Sequence, residues 1–164
     1  MRPILSLLIA TLALTGCQTV PDRGGFTPRQ QATLRQNGFE PVGDGWQFGM
    51  ADRLLFATDE SVLIPAQHVV IGRMAQTLVA VDIRGARVEG HTDSTGSASY
   101  NDALSLKRAQ AVADALHSGG MAQGALRVVG MGARIPVDSN RSVDGRRENR
   151  RVVVIVSPAD AIRP

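Results

Sequence analysis

Val88-Glu89-Gly90-His91-Thr92-Asp93, with Arg108 fifteen positions after the aspartate, is the stretch on which the reading of this chain turns. From Gly85 onward, small or apolar Ala86, Val88 and Gly90 alternate with polar Arg87, Glu89 and His91. That period of two predicts a strand with one buried face and one wetter face. Asp93 falls where the strand ends, and residues 94–99 form a loop. Tyr100 to His117 then reads as a long helix, begun by Ser99 with Asp102 in capping-box position and stopped by Gly119-Gly120. Along it Asn101, Leu104-Ser105 and Arg108 share one face, because residues three, four and seven apart stack on a helix. If the loop folds back over the first turns, Asp93 and Arg108 approach one point. A carboxylate and a guanidinium so placed can grip a ligand with an ammonium and a carboxylate on one carbon. Taken alone, Asp93 also reads as a turn aspartate bonding its own backbone, and Arg108 as a solvated helix charge.

Outward from this stretch the pattern stays regular. Arg53 to Ala57 and Leu126 to Met131 read as strands. Val70, Ile71, Met74 and Leu78 follow helical spacing, with Pro65 near the helix start. Val152 to Val156 is continuously β-branched, as in a central strand buried on both faces. The order β-α-β-α-β-β predicts an α/β two-layer sandwich, a small mixed sheet covered by helices. At 164 residues the chain can bury one sizeable core.

The net charge of +3 comes from seventeen arginines and one lysine, which are scattered and not interleaved with aromatics. A nucleic-acid surface would need such interleaving, so nucleic acid is set aside as a partner. At the N-terminus Arg2 precedes a short apolar run, Ile4 to Leu14, and Leu14-Thr15-Gly16-Cys17 ends it. The run is too short to cross about 30 Å of hydrocarbon and reads as a signal peptide over residues 1–16. Small residues before a cysteine resemble the lipobox of bacterial lipoproteins. That resemblance implies lipidation of Cys17, and Gln18 after it implies sorting to the outer membrane. Cys17 is the single cysteine, which excludes an intramolecular disulfide.

Residues 17–49 read as a linker and switch segment. Thr27, Pro28 and Gln30 give the cap of a short helix that Asn37-Gly38 stops, and Ala32 and Leu34 are its apolar residues. Phe39, Trp46 and Phe48 follow among Gly38, Gly43, Gly45 and Gly49. Aromatics on a weakly structured, glycine-rich segment read either as core or as anchors for a partner. The folded domain is expected over residues 50–157, with a tail at 158–164.

Gly90-His91-Thr92-Asp93, Gly96, Tyr100-Asn101, Leu104-Ser105, Arg108-Ala109, Gly130 and Asn149-Arg150-Arg151-Val152 together resemble the OmpA-like peptidoglycan-binding domain. The resemblance implies that Asp93 holds the ammonium of diaminopimelate in a cell-wall stem peptide and Arg108 its carboxylate. It makes Asn101, Gly96 and Leu104 supporting residues, borders the pocket with Thr58 and Asp59, and makes Asn149 and Arg151 a brace behind it. Ser94 stands where the family usually has Asn, which leaves a local turn bond in doubt. Phe26-Thr27-Pro28, Asn37-Gly38-Phe39 and Gly45-Trp46-Gln47-Phe48-Gly49 are similar to the N-terminal region of YfiB lipoproteins. That similarity implies a periplasm-facing domain that sequesters a YfiR-like repressor and so activates a YfiN-type diguanylate cyclase. Leu34, Phe39, Trp46 and Phe48 are then the partner-facing residues. A Pal-like tether with no signalling role is the alternative, and a homodimer stays open.

Other chemistry is weakly signalled. His91 and Asp93 lack a third metal ligand at sensible spacing, and His68 and His117 fall on helices. Ser94, His91 and Asp93 are too close in sequence for a catalytic triad. Gly130-Met131-Gly132 opens no helix and is no phosphate loop. No cofactor and no catalytic activity are expected.

Overall fold

The β-branched run around Val152 to Val156 becomes the middle strand of a five-stranded sheet. The computed structural model describes residues 25–57 and 60–161, with side chains up to residue 159. In chain order its elements are α1 (Pro28–Gln36), β1 (Glu40–Val42), β2 (Gly45–Ala51), α2 (Asp52–Leu55), α3 (Pro65–Val79), β3 (Ala86–His91), α4 (Ala98–Ser118), β4 (Leu126–Gly132), α5 (Val143–Asn149), β5 (Arg151–Val156) and α6 (Pro158–Ala161). The strand order is β1-β2-β5-β3-β4, and only β3 and β4 pair in parallel. This is the α/β two-layer sandwich expected, with β2 in the place of the first expected strand and α5 inserted between β4 and β5. Cys17 and the signal-peptide residues lie outside the described residues, as do Thr58 and Asp59.

One face of the sheet carries the core. Val88 of β3 and Val152, Val154 and Val156 of β5 meet Ile71, Met74 and Leu78 of α3 and Ala109, Val112 and Leu116 of α4. Each fully buried aliphatic side chain of this kind contributes about 1.5–3 kcal/mol. The helix α4 can lie so close because β3 and β4 present glycines beneath it. A Cβ on Gly90 would sit 1.9 Å from the Ser105 carbonyl oxygen, and one on Gly130 2.8 Å from that of Asp102.

The structure corrects several expectations. Arg53 to Ala57 is not a strand: Asp52–Leu55 is a one-turn helix, and only Phe56 forms a β-bridge, with Leu63. The sheet takes β2 instead, whose alternating Trp46, Phe48 and Met50 turn toward the core side, with Trp46 only 6% exposed. Strand β2 pairs with β5 from Trp46 to Ala51, so the division expected at residue 49 falls inside a strand. The segment expected to be weakly structured is part of the fold. Leu34, Phe39 and Trp46, expected to face a partner, are core residues, and Phe48 is half-buried against Phe39 with ring centroids 5.4 Å apart. Gly49 sits within the ladder, opposite Val153 of β5, without interrupting it. Val70, expected on the buried stripe of α3, is exposed.

Helix α1 has the expected capping box: Gln30 N–H donates to Thr27 Oγ1 at 3.3 Å and Thr27 N–H to Gln30 Oε1 at 2.9 Å. Nine residues are too few for a helix to persist alone in water. Leu34 docks it in the core and Gln30 Nε2 donates to the Val81 carbonyl at 3.0 Å. Helix α4 begins at Ala98 and not at Tyr100, with Ser97 in place of Ser99 as cap, accepting from Tyr100 N–H. Asp102 pairs instead with Arg134 at 2.6 Å.

The opposite face, expected to be wetter, is more enclosed than alternation alone suggests. His91 is 3% exposed and Glu89 8%. Ile135, Val137 and Arg151 border the same shallow cavity. Burial first, and then the Arg151 charge, lower the His91 pKa from 6.5 to about 4. The unfolded chain therefore takes up this proton at higher pH than the folded one. Stability from keeping His91 neutral is complete above about pH 6.5 and is lost as pH falls toward 4, by about 3 kcal/mol at most.

Two outcomes follow for stability. Thermal unfolding followed by circular dichroism between pH 7 and 4 should show an acid decline that His91→Phe flattens. Gly90→Ala should lower stability by about 1–3 kcal/mol in denaturant titrations, since backbone and not a mobile side chain blocks the added methyl.

Candidate functional site

Asp93 sits just past the C-terminal end of β3, in the loop leading to α4. Its carboxylate Oδ1 accepts the Thr95 N–H at 2.8 Å, the turn bond of an aspartate that starts a loop. Its Oδ2 accepts from Arg150 Nη1. Burial alone would raise the Asp93 pKa, but the Thr95 N–H and the Arg150 guanidinium outweigh it and hold the pKa below 3.8. Asp93 is therefore an ionised acceptor throughout the neutral range.

Helix α4 supplies the other wall. Asn101 Nδ2 donates to the Thr95 carbonyl at 3.0 Å and reaches that of Asp93 at 3.4 Å. It ties the loop to the first turn of the helix. Two turns on, Arg108 is 4% exposed, and its Nε donates to the Glu60 carbonyl at 3.0 Å and lies 3.2 Å from Asp52 Oδ1. Its guanidinium carbon stands 5.3 Å from the centre of the Phe56 ring, an attractive cation–π distance. Folding back of the loop thus brings Asp93, Asn101, Leu104 and Arg108 into the wall of one cleft of about 700 Å³.

Gly96 does not line this cleft. It takes φ +89 in the loop, a left-handed conformation that glycine adopts at little cost. Asn149 is fully buried, accepts the Val137 and Asp138 N–H groups, and donates to Asn140 Oδ1 at 2.9 Å. Asn140 Oδ1 in turn accepts the Ser94 N–H at 3.1 Å, so this brace reaches the loop that carries Asp93. The backbone at Ser94, where the family usually has Asn, is held from outside by that bond.

Sequence reasoning missed four contributors. Arg150 pairs with Asp93, Asp52 lies beside Arg108, and Arg53 and Arg146 also line the cleft. Their elements are distant in sequence, and the alternation between Arg150 and Arg151 was the available signal, since Arg151 borders the cavity of His91 on the other face. Thr92, also in the cleft wall, has a buried Oγ1 with no hydrogen-bond partner among the described residues. A buried hydroxyl left unpaired costs free energy that a ligand can recover. Among the described residues no group of three or more metal-ligating side chains occurs.

Comparison with known proteins agrees with this architecture. The sequence profile of the OmpA family matches residues 55–150. The chain is 42% identical to the outer-membrane lipoprotein YfiB of Pseudomonas aeruginosa over 156 residues, 95% of this chain and 92% of that protein. It is 41% identical to the YfiB lipoprotein of Escherichia coli over 155 residues, 94% and 96% of the two chains. The crystal structure of the peptidoglycan-associated lipoprotein from Burkholderia pseudomallei superposes with a TM-score of 0.55 at 28% identity, covering 62% of this chain and 86% of that one. With its profile match across the strands and helices that build the cleft, this chain belongs to the OmpA family.

Proposed function

We propose that this protein is a non-enzymatic, lipid-anchored envelope protein that binds peptidoglycan by holding the zwitterionic end of diaminopimelate. The observation that carries the reading is the convergence of Asp93 and Arg108 on one cleft. A carboxylate offers about four acceptor sites, so Asp93 can take an ammonium beside its bonds to Thr95 and Arg150. The contacts of Arg108 among the described residues run through Nε, and its Nη groups are the ones assigned to a ligand carboxylate. The unpaired Thr92 hydroxyl adds a third polar group. The lipoprotein names of the YfiB relatives, and the peptidoglycan association in the name of the Burkholderia protein, support the same reading. Cys17 is the proposed site of the lipid, with the outer membrane as location and the domain facing the periplasm.

Sedimentation with purified peptidoglycan tests the grip. Removing one partner of a desolvated charged contact costs about 2–5 kcal/mol, so Asp93→Asn and Arg108→Gln should each weaken binding by more than tenfold. Wild-type retention by both folded variants would overturn the assignment.

Signalling by capture of a YfiR-like repressor, with release of a YfiN-type cyclase, is the second half of the proposal and rests on the similarity to YfiB. Since Leu34, Phe39 and Trp46 are core, we place the capture surface at the apolar groove of about 660 Å³ where Phe48 meets Leu54 and Val70. Leu54 and Val70 are more than half exposed, so Leu54→Glu with Val70→Glu tests the surface without emptying the core. The expected outcome is loss of repressor co-purification with peptidoglycan binding retained. Unchanged capture would remove this surface. If deletion of the protein weakened the envelope without changing cyclic-di-GMP, the Pal-like tether would replace the signalling role.

A further inference from the structure

Among the described residues that line the cleft, guanidiniums outnumber carboxylates, and this surplus bears on which stem peptides it takes. Its described lining holds two carboxylates, Asp52 and Asp93, and four guanidiniums, Arg53, Arg108, Arg146 and Arg150. Two ion pairs account for both acids: Asp93 with Arg150 and Asp52 with Arg108. Arg53 and Arg146 remain, and neither forms an ion pair among the described residues. Arg146 is half-buried, with Nη1 donating to the Asn140 carbonyl at 2.9 Å, so its position is set in advance of any ligand. Arg53 is exposed at the cleft edge, on the one-turn helix α2 that also carries Asp52.

A zwitterion is neutral and leaves this surplus as it found it. We infer that the cleft selects stem peptides that carry free carboxylates beyond the diaminopimelate zwitterion, with Arg53 and Arg146 as the residues that read them. The inference rests on the proposed grip by Asp93 and Arg108 and extends it. A stem peptide has two further carboxylates within a few bonds of diaminopimelate: the α-carboxylate of its γ-linked glutamate and the C-terminal carboxylate of an uncrosslinked chain. Amidation removes the first and crosslinking the second. Guanidinium suits this task because its planar fork meets a carboxylate with two parallel N–H donors. The protein would then moor preferentially on uncrosslinked, unamidated wall.

Isothermal titration of the mature chain with three compounds tests this. They are free meso-diaminopimelate, a diaminopimelate-containing tetrapeptide with free carboxylates, and the same tetrapeptide amidated at glutamate and at its C-terminus. The free-acid tetrapeptide should bind about tenfold more tightly than the diamide at low ionic strength, and salt should narrow the ratio. In Arg53→Gln/Arg146→Gln the ratio should approach one. Because it is taken within one variant, a general loss of affinity does not move it. Equal affinity of wild type for acid and amide, or an unchanged ratio in the double variant, overturns the inference while leaving the grip intact. If neither diaminopimelate nor either tetrapeptide bound, or if Asp93→Asn left all three unchanged, the grip itself would fall and the inference with it.

Discussion

The close approach of α4 to the strands beneath it is the constraint on which the rest of the molecule depends. It exists because Gly90 and Gly130 have no side chain to hold the helix away. Ser105, above them, accepts the Gly132 N–H through its hydroxyl at 3.0 Å and so locks the helix to the end of β4. That contact fixes where Arg108 stands relative to Asp93, which leaves the sheet just beyond Gly90. A helix displaced by a methyl group would widen the cleft and part the two charges. The glycines of the motif are therefore as much site residues as the ionic ones, although they touch nothing in the cleft.

The cleft is held by ion pairs that a ligand need not break. Asp93 and Arg108 do not pair with each other; each has its own counter-charge, in Arg150 and Asp52. Such an arrangement keeps both groups ionised and oriented while they wait, and the Thr95 N–H helps to hold Asp93 charged. Preorganisation of this kind lowers the cost of ordering the site on binding. The zwitterion proposed as ligand would add one charge of each sign and leave this local balance unaltered.

Much of this was legible in the sequence, for reasons visible residue by residue. The helix around Asn101 and Arg108 and the strands at Ala86 and Val152 carry strong periodicities, and packing reinforced them. The region before residue 57 misled because local composition and tertiary context disagree there. Gly45 and Gly49 suggest a loose segment, yet Trp46, Phe48 and Met50 alternate as a strand, and β5 offers them a partner that no local window contains. Leu54-Leu55-Phe56 looks like a strand by composition, but Asp52 N–H is taken by the Arg150 carbonyl and the chain turns helical at once. Arg150 was hidden because its role depends on a partner 57 residues away. The asparagine brace was legible only through family resemblance, since nothing local reveals that Asn149 reaches Asn140 and thence Ser94.

The burial of Phe26 in the core has a mechanical consequence. With the lipid on Cys17, as proposed, nine residue steps lead from the anchor to Phe26, the first core side chain among the described residues. Fully extended, they reach about 30 Å. A protein moored at both ends would bear any load between membrane and wall across Phe26 and the capped turn of α1. Further reach could come only by peeling that helix, and then β1, from the domain. On the proposed anchoring, the short N-terminal elements would be the first part of the fold to yield when the envelope is stretched, a mechanical fuse.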